Sequence, residues 1–165
     1  MPVHVVMGVS GCGKSTVGML IAGKLRARYA EGDSFHPPEN VAKMRGGQPL
    51  DDDDRAPWLS AMAQAIRDWN AKGETVVLAC SALKRRYRDV LRGGGDVRFI
   101  HLAGDKAAIA ARLAARTGHY MPTTLLDSQF ATLEPPGDDE AITVSIEGAP
   151  AEIAQRAIDA LSSRA

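Results

Sequence analysis

Apolar positions along the chain fall into two kinds of run that alternate with each other. One kind is short, unbroken and rich in β-branched residues: Val3-His4-Val5-Val6-Met7, Thr75-Val76-Val77-Leu78-Ala79-Cys80 and Val97-Arg98-Phe99-Ile100-His101-Leu102. Such runs read as strands, and the continuous apolar character of 75–80 is that of a central parallel strand buried on both faces. Shorter strands are expected over 28–31, ending at Gly32-Asp33, and over 141–146. The other kind of run has helical spacing. Val17, Leu20, Ile21 and Leu25 make one stripe, Trp58, Met62, Ile66 and Trp69 a second, and Ile153, Ala157 and Leu161 a third. A short helix is expected over 39–45, after a turn through Pro37-Pro38, and others over 82–92, 105–116 and 123–133. Asp54 is the expected N-cap of the Trp58 helix, with Pro57 in its first turn.

Strands alternating with helices predict an α/β fold, a doubly wound parallel sheet of five strands with right-handed crossovers. Two segments are extra to that core: an insert over 34–69 after the second strand and a segment over 112–133 after the fourth. Ligands of an open α/β sheet sit beyond the carboxyl ends of its strands. Both extras begin there, which makes them candidates for a substrate pocket and a lid.

The first strand runs into Gly8-Val9-Ser10-Gly11-Cys12-Gly13-Lys14-Ser15, and a helical pattern follows. Strand, G-x-x-x-x-G-K-S and helix together make a phosphate-binding P-loop. Glycines let consecutive N–H groups curl inward around phosphate oxygens, and the helix N-terminus adds its positive end. Lys14 reaches the β- and γ-phosphates, the Ser15 hydroxyl ligates Mg²⁺, and the loop through Thr16 forms the nucleotide cradle. A nucleoside triphosphate is therefore the expected ligand.

Composition narrows the setting. The 165 residues make one domain of ordinary size, and the formal net charge of zero excludes a nucleic-acid or membrane-surface binder that relies on bulk charge. No apolar run reaches the length of a membrane span of about 18 residues. The chain enters its first strand without a basic and apolar leader, and the two cysteines, Cys12 and Cys80, do not make a disulfide framework. A cytoplasmic, reduced setting is expected.

Phosphoryl transfer to an alcohol needs a carboxylate that orients the hydroxyl and takes its proton. Asp33 is that candidate, expected to face the P-loop from an adjacent strand, with Glu31 positioning Mg²⁺-bound water; an Asp here could equally cap the next turn. The stretch His36 to Arg45, with Lys43, suits a polar, anionic small molecule or a solvated helix face. Asp51 to Asp54 read better as an acidic turn with one N-cap than as a metal loop, since EF-hand spacing is missing. Lys84 lies just past the third strand as a candidate anion contact, and the arginines after it read as a solvated face or dimer surface. No Asp ends that strand, so metal support falls to Ser15, Glu31 and Asp33. Arg112 and Arg116 share one helix face and are either lid arginines that clamp the triphosphate or a plain surface pair.

The ordered motifs resemble one family. They are M-G-V-S-G-x-G-K-S over 7–15, E-G-D-x-x-H-P over 31–37, N-x-x-K-M over 40–44 and G-x-P-L-x-D-x-D-R-x-P-W-L over 47–59. C-S-A-L-K-x-x-Y-R-D over 80–89, R-x-G-H-Y over 116–120 and L-L-x-S-Q-F-x-x-L-E over 125–134 complete the set. It is similar to that of the gluconokinases, in the shikimate-kinase-like group of P-loop kinases. The resemblance implies a three-layer αβα P-loop fold with strand order 2-3-1-4-5. It also implies Mg²⁺- and ATP-dependent phosphorylation of D-gluconate at the 6-hydroxyl, a homodimer, and gluconate use feeding the pentose phosphate pathway. By position it implies Lys14, Asp33 and Arg116 as catalytic residues and Ser15 and Asp33 on the metal side. Gly8 to Thr16, with Arg112 and Arg116, would bind nucleotide. Asp33, His36, Lys43, Arg45, Arg55, Lys84 and Gln129 would contact gluconate. Cys12 departs from the family's usual small residue and is expected to add a thiol open to oxidation, being at a helix N-terminus. A P-loop kinase for another small metabolite, shikimate-like or a nucleoside monophosphate, and a non-catalytic ATP-binding module are the competing expectations. The His36–Leu59 motifs argue against the first, and Lys14, Ser15, Asp33 and the two lid arginines against the second.

Overall fold

A computed structural model describes residues 2–115 and 123–163. Five strands carry the sheet: β1 (Val3–Met7), β2 (Arg28–Glu31), β3 (Val76–Ala79), β4 (Val97–Ala103) and β5 (Ala141–Ser145). All pair in parallel, in the order β2-β3-β1-β4-β5. Every residue of β1 and β3 is buried, as expected of strands covered on both faces. The helices are α1 (Lys14–Leu25), α2 (Pro38–Arg45), α3 (Asp52–Ala71), α4 (Arg85–Arg92), α5 (Lys106–Ala115), α6 (Thr123–Thr132) and α7 (Pro150–Ser163). A 3₁₀ turn over Gly32–Phe35 joins β2 to the insert. α1 packs on α7 and α3 on α4. None of the described helices is long and apolar enough to cross a membrane.

Several expectations need correction. Val17 and Ile21 of the expected stripe are buried, but Leu20 is exposed, and Gly18 and Ala22 complete the buried face of α1. The helix turns this face inward because the Tyr29 ring presses on Gly18, where a Cβ would stand 3.0 Å from the ring. The N-cap of α3 is Asp51 and not Asp54. Asp51 accepts from the Asp54 N–H at 2.8 Å while Asp54 accepts from the Asp51 N–H at 3.0 Å, a reciprocal capping box. Pro57 accordingly lies within α3, beyond its first turn. α4 begins at Arg85, because Ala82 adopts a left-handed φ of 45° that no helix accommodates. The strand order is the expected 2-3-1-4-5, and it places β3 between β2 and β1, so Asp33 does not come from the strand adjacent to the P-loop's own. Leu161 is only partly buried.

The largest correction concerns Arg88, expected on a solvated face or dimer surface and found 1% exposed. Its guanidinium donates to the carbonyls of Ala82 (2.7 Å), Leu83 (3.2 Å) and Glu134 (2.9 Å) and pairs with the Glu140 carboxylate at 2.6 Å. Arg92 reaches the same carboxylate at 2.7 Å. Burial pushes the Glu140 carboxyl up, but hydrogen bonds from the two arginines outweigh it and hold the group below its usual range. The Glu134 N–H donates to the Leu83 carbonyl at 2.8 Å, and its Oε1 accepts from the Arg85 N–H at 2.9 Å. The segment after α6 is thus tied to the turn that follows β3.

Candidate functional site

The P-loop turns sharply at Gly13, the N-cap of α1, whose φ of 96° suits a residue without Cβ. The Lys14 ammonium donates only to the Val9 carbonyl of its own loop, at 3.1 Å, so no described carboxylate neutralises it. The Ser15 hydroxyl donates to Glu31 Oε2 at 2.6 Å, across from the end of β2. Cys12 is fully buried with its Sγ turned toward Gly8, so burial shields the thiol that the sequence suggested was open to oxidation.

β2 reaches the site because Gly32 lets it. A Cβ on Gly32 would lie 2.3 Å from the Ala79 carbonyl oxygen and 3.2 Å from Cys80 Cα. The chain can therefore cross close over the end of β3 and present Asp33. Trp58 Nε1 fastens this crossing by donating to the Gly32 carbonyl at 2.8 Å. Asp33 lines one cavity with Lys14, and its carboxylate accepts no hydrogen bond from the described residues.

His36, Arg55 and Gln129 line the same cavity. His36 stacks on Trp58, with ring centroids 4.3 Å apart. Asn40 Nδ2, buried, lies 3.2 Å from His36 Nδ1 and donates to the Asp54 carbonyl at 2.7 Å. An amide donor at Nδ1 selects the tautomer with its proton on Nε2. Burial lowers the His36 pKa below its ordinary value; Asp33 opposes this and Arg55 adds to it. Arg55 is 7% exposed, and its one described hydrogen-bond partner is the Tyr87 hydroxyl at 3.1 Å. Tyr87 in turn donates to Asp52, a carboxylate also engaged by Lys84 and Arg86. Arg55 is thus a buried cation whose nearest networked anion is already shared. Gln129 Oε1 accepts from the Ser10 N–H of the P-loop at 2.6 Å.

Other sequence candidates lie elsewhere. Lys43 pairs with Asp54 at 2.8 Å, Lys84 pairs with Asp52 at 3.2 Å, and Arg45 is exposed; none of the three lines the cavity. The Arg112 guanidinium donates to the carbonyls of Ile146 and Gly148, between β5 and α7. Arg116, with His119 and Tyr120, lies outside the described residues. Ser81, at the start of the stretch after β3, lines the cavity, and sequence reasoning missed Trp58 and Asn40 as parts of the site. Trp58 reads as core because it is core, at 1% exposure, and only its indole N–H and stacked face serve the cavity. The one available signal for Asn40 was its place in the N-x-x-K-M motif, four residues after His36.

A parallel 2-3-1-4-5 sheet, a glycine loop closing on a helix N-terminus, an unneutralised lysine and a free carboxylate at a strand end define a P-loop kinase. The Shikimate kinase family model matches residues 10–161. A gluconokinase of Gluconobacter oxydans (strain 621H) is 52% identical over 139 residues, 84% of this chain and 78% of that one. The chain belongs to the gluconokinases, within the shikimate kinase family. The thermoresistant gluconokinase of Escherichia coli (strain K12) is 47% identical, over 84% of this chain and 79% of that one. The crystal structure of a gluconokinase from Sinorhizobium meliloti 1021 superposes with a TM-score of 0.89 at 47% identity, covering 99% and 93% of the two chains. A shikimate kinase from Aquifex aeolicus shares the fold at 14% identity and a TM-score of 0.67.

Proposed function

We propose that this kinase transfers the γ-phosphoryl group of ATP to the 6-hydroxyl of D-gluconate, giving 6-phospho-D-gluconate and ADP. The observation that carries this reading is a single cavity lined by two cations without their own carboxylate, Lys14 on the P-loop and the buried Arg55 on α3. A buried charge calls for a counter-charge from the ligand. Gluconate has a carboxylate at one end of its carbon chain and the accepting hydroxyl at the other. Arg55 takes the carboxylate, which leaves C6 toward the P-loop. His36 offers its Nε2 proton to a chain hydroxyl, and Gln129 adds an amide.

At the P-loop end, Asp33 orients the 6-hydroxyl. As the oxygen attacks γ-phosphorus the O–P bond forms, the bond to the β-bridging oxygen breaks, and the hydroxyl proton passes to the Asp33 carboxylate. Lys14 and the loop amides take the charge that develops on the phosphoryl oxygens and on departing ADP. Lys43 and Lys84 are neutralised by Asp54 and Asp52, and Arg112 and Arg116 belong to the nucleotide side.

Mg²⁺ fits the donor set. The Ser15 hydroxyl and the Glu31 and Asp33 carboxylates are hard oxygen donors. Mg²⁺ takes few protein ligands and completes its shell with phosphates and water. Among the described residues no three His, Cys, Asp or Glu side chains form a cage, as suits a metal that arrives with its nucleotide. Bound there, it would neutralise phosphate charge. The same reading makes the protein a single-domain cytoplasmic homodimer that feeds gluconate into the pentose phosphate pathway. Coupled ADP release measured with gluconate, other sugar acids, shikimate and nucleoside monophosphates tests it. Release with gluconate-like acids alone is expected; turnover with shikimate or a nucleoside monophosphate in place of gluconate refutes it.

A further inference from the structure

The hydroxyl of Ser15 is held from behind by more than one group. Tyr29 and Glu31 are two apart on β2, so their side chains leave the same face of the strand. The Tyr29 ring is wedged against Gly18 of α1. From that seat its hydroxyl donates to Glu31 Oε2 at 2.5 Å. This is the same oxygen that accepts the Ser15 hydroxyl at 2.6 Å. One carboxylate oxygen therefore receives two hydroxyl protons, while Glu31 Oε1 accepts none from the described residues.

We propose that Tyr29 is a positioning residue for the metal side of the site, locking the Glu31 carboxylate so that Ser15 keeps its proton turned away and a lone pair free for Mg²⁺. The inference rests on Ser15 as a metal ligand. A serine hydroxyl that donates its proton to a fixed carboxylate is a better oxygen ligand than one free to rotate, because outer partners orient inner ones and raise their basicity. Without the phenol, Glu31 keeps its charge but loses the contact that decides which oxygen faces Ser15. Packing and positioning are separable here: phenylalanine keeps the ring on Gly18 and removes only the hydroxyl.

The test is calorimetric binding of the β,γ-imido analogue of ATP, with and without saturating Mg²⁺. It compares wild type, Tyr29→Phe, Glu31→Ala and the double variant. Expected is a wild type whose affinity rises with Mg²⁺. In Tyr29→Phe that gain shrinks by about three- to tenfold, the scale of one net hydrogen bond, with metal-free affinity unchanged. In the Glu31→Ala background, Tyr29→Phe then adds nothing further. The inference is overturned if Tyr29→Phe retains the full Mg²⁺ gain, if it weakens both conditions equally, or if its effect persists without Glu31. A wild type that gains no affinity from Mg²⁺ overturns the metal reading itself, and this one with it.

Discussion

Gly32→Ala places one methyl group where two strands nearly touch. The added Cβ would sit 2.3 Å from the Ala79 carbonyl oxygen, and ordinary contact begins at 3.4 Å, so about 1 Å of extra room must be found. β3 cannot supply it. It is hydrogen-bonded on both flanks, and the Cys80 N–H donates to the Val6 carbonyl at 3.0 Å. β2 is an edge strand and gives way, carrying Asp33 with it and stretching the Trp58 bond to the Gly32 carbonyl. Displacing a reacting group by about 1 Å lowers turnover by roughly 10²-fold, and overpacking of this kind destabilises by about 1–3 kcal/mol. The P-loop rests on β1 and keeps its shape, so metal-free nucleotide binding should stay near wild type. Steady-state kcat by coupled ADP release, a thermal melt and calorimetric nucleotide binding measure the three parts. A folded Gly32→Ala protein with kcat within a few-fold of wild type would refute the idea that this close crossing sets Asp33 in place.

Asp33→Asn should lower turnover by at least ~10²-fold with nucleotide binding nearly intact, as general-base loss does; a near-wild-type rate in the same assay removes Asp33 from its role. Arg55→Leu should raise KM for gluconate by roughly 10²-fold or more, because the acid loses its buried charge partner, while KM for ATP changes little; equal effects on both would place Arg55 outside the acceptor end. The His36 pKa lies below its ordinary 6.5, so the ring is neutral at pH 7 and KM for gluconate should stay flat from pH 8 to 7. KM should rise only at lower pH, as the proton added at Nδ1 breaks the Asn40 contact, and a rise already between pH 8 and 7 would contradict this. Arg88→Met leaves the buried Glu140 carboxylate with Arg92 alone and should lower stability by about 3–5 kcal/mol in denaturant titrations. Glu140 is a depressed carboxyl, so its stabilisation is present above its unfolded value near 4.5 and fades as pH falls through the lower folded value. Glu140→Gln should flatten the acid limb of wild-type stability.

The sheet was legible because each strand is a compact apolar run and the P-loop marks where the first one ends. Helix ends were less legible. Four consecutive aspartates all look like caps, and only the approach of Lys43 and the reciprocal bonds between Asp51 and Asp54 choose among them. The stripe of α1 was read correctly at Val17 and Ile21 and misjudged at Leu20, because apolar spacing ranks Leu20 above Gly18, the residue that packs closely beside Tyr29. Positive charge and motif position named Lys43, Arg45 and Lys84 for the acceptor, but the first and last meet Asp54 and Asp52 of the insert. Arg88 could not be read from its helix: its burial depends on Glu140, 52 residues away. Asp33 with His36, Arg55 and Gln129 come from three separate stretches of chain, and the cavity that gathers them was visible only as ordered motifs.

The bonds of Glu134 and Arg88 also bear on the mechanics of the neighbouring helix. With the chain just past α6 bolted to the turn after β3, α6 behaves as a cantilever. At about 1.5 Å of rise per residue, Gln129 stands roughly 7 Å from the fixed end and Thr123 roughly 16 Å. A swing of the helix therefore reaches Gln129 at less than about half the amplitude it has at Thr123. Any displacement of the helix about that end is therefore geared down at the Gln129 bond to the Ser10 amide, and the phosphate loop feels less than half of it.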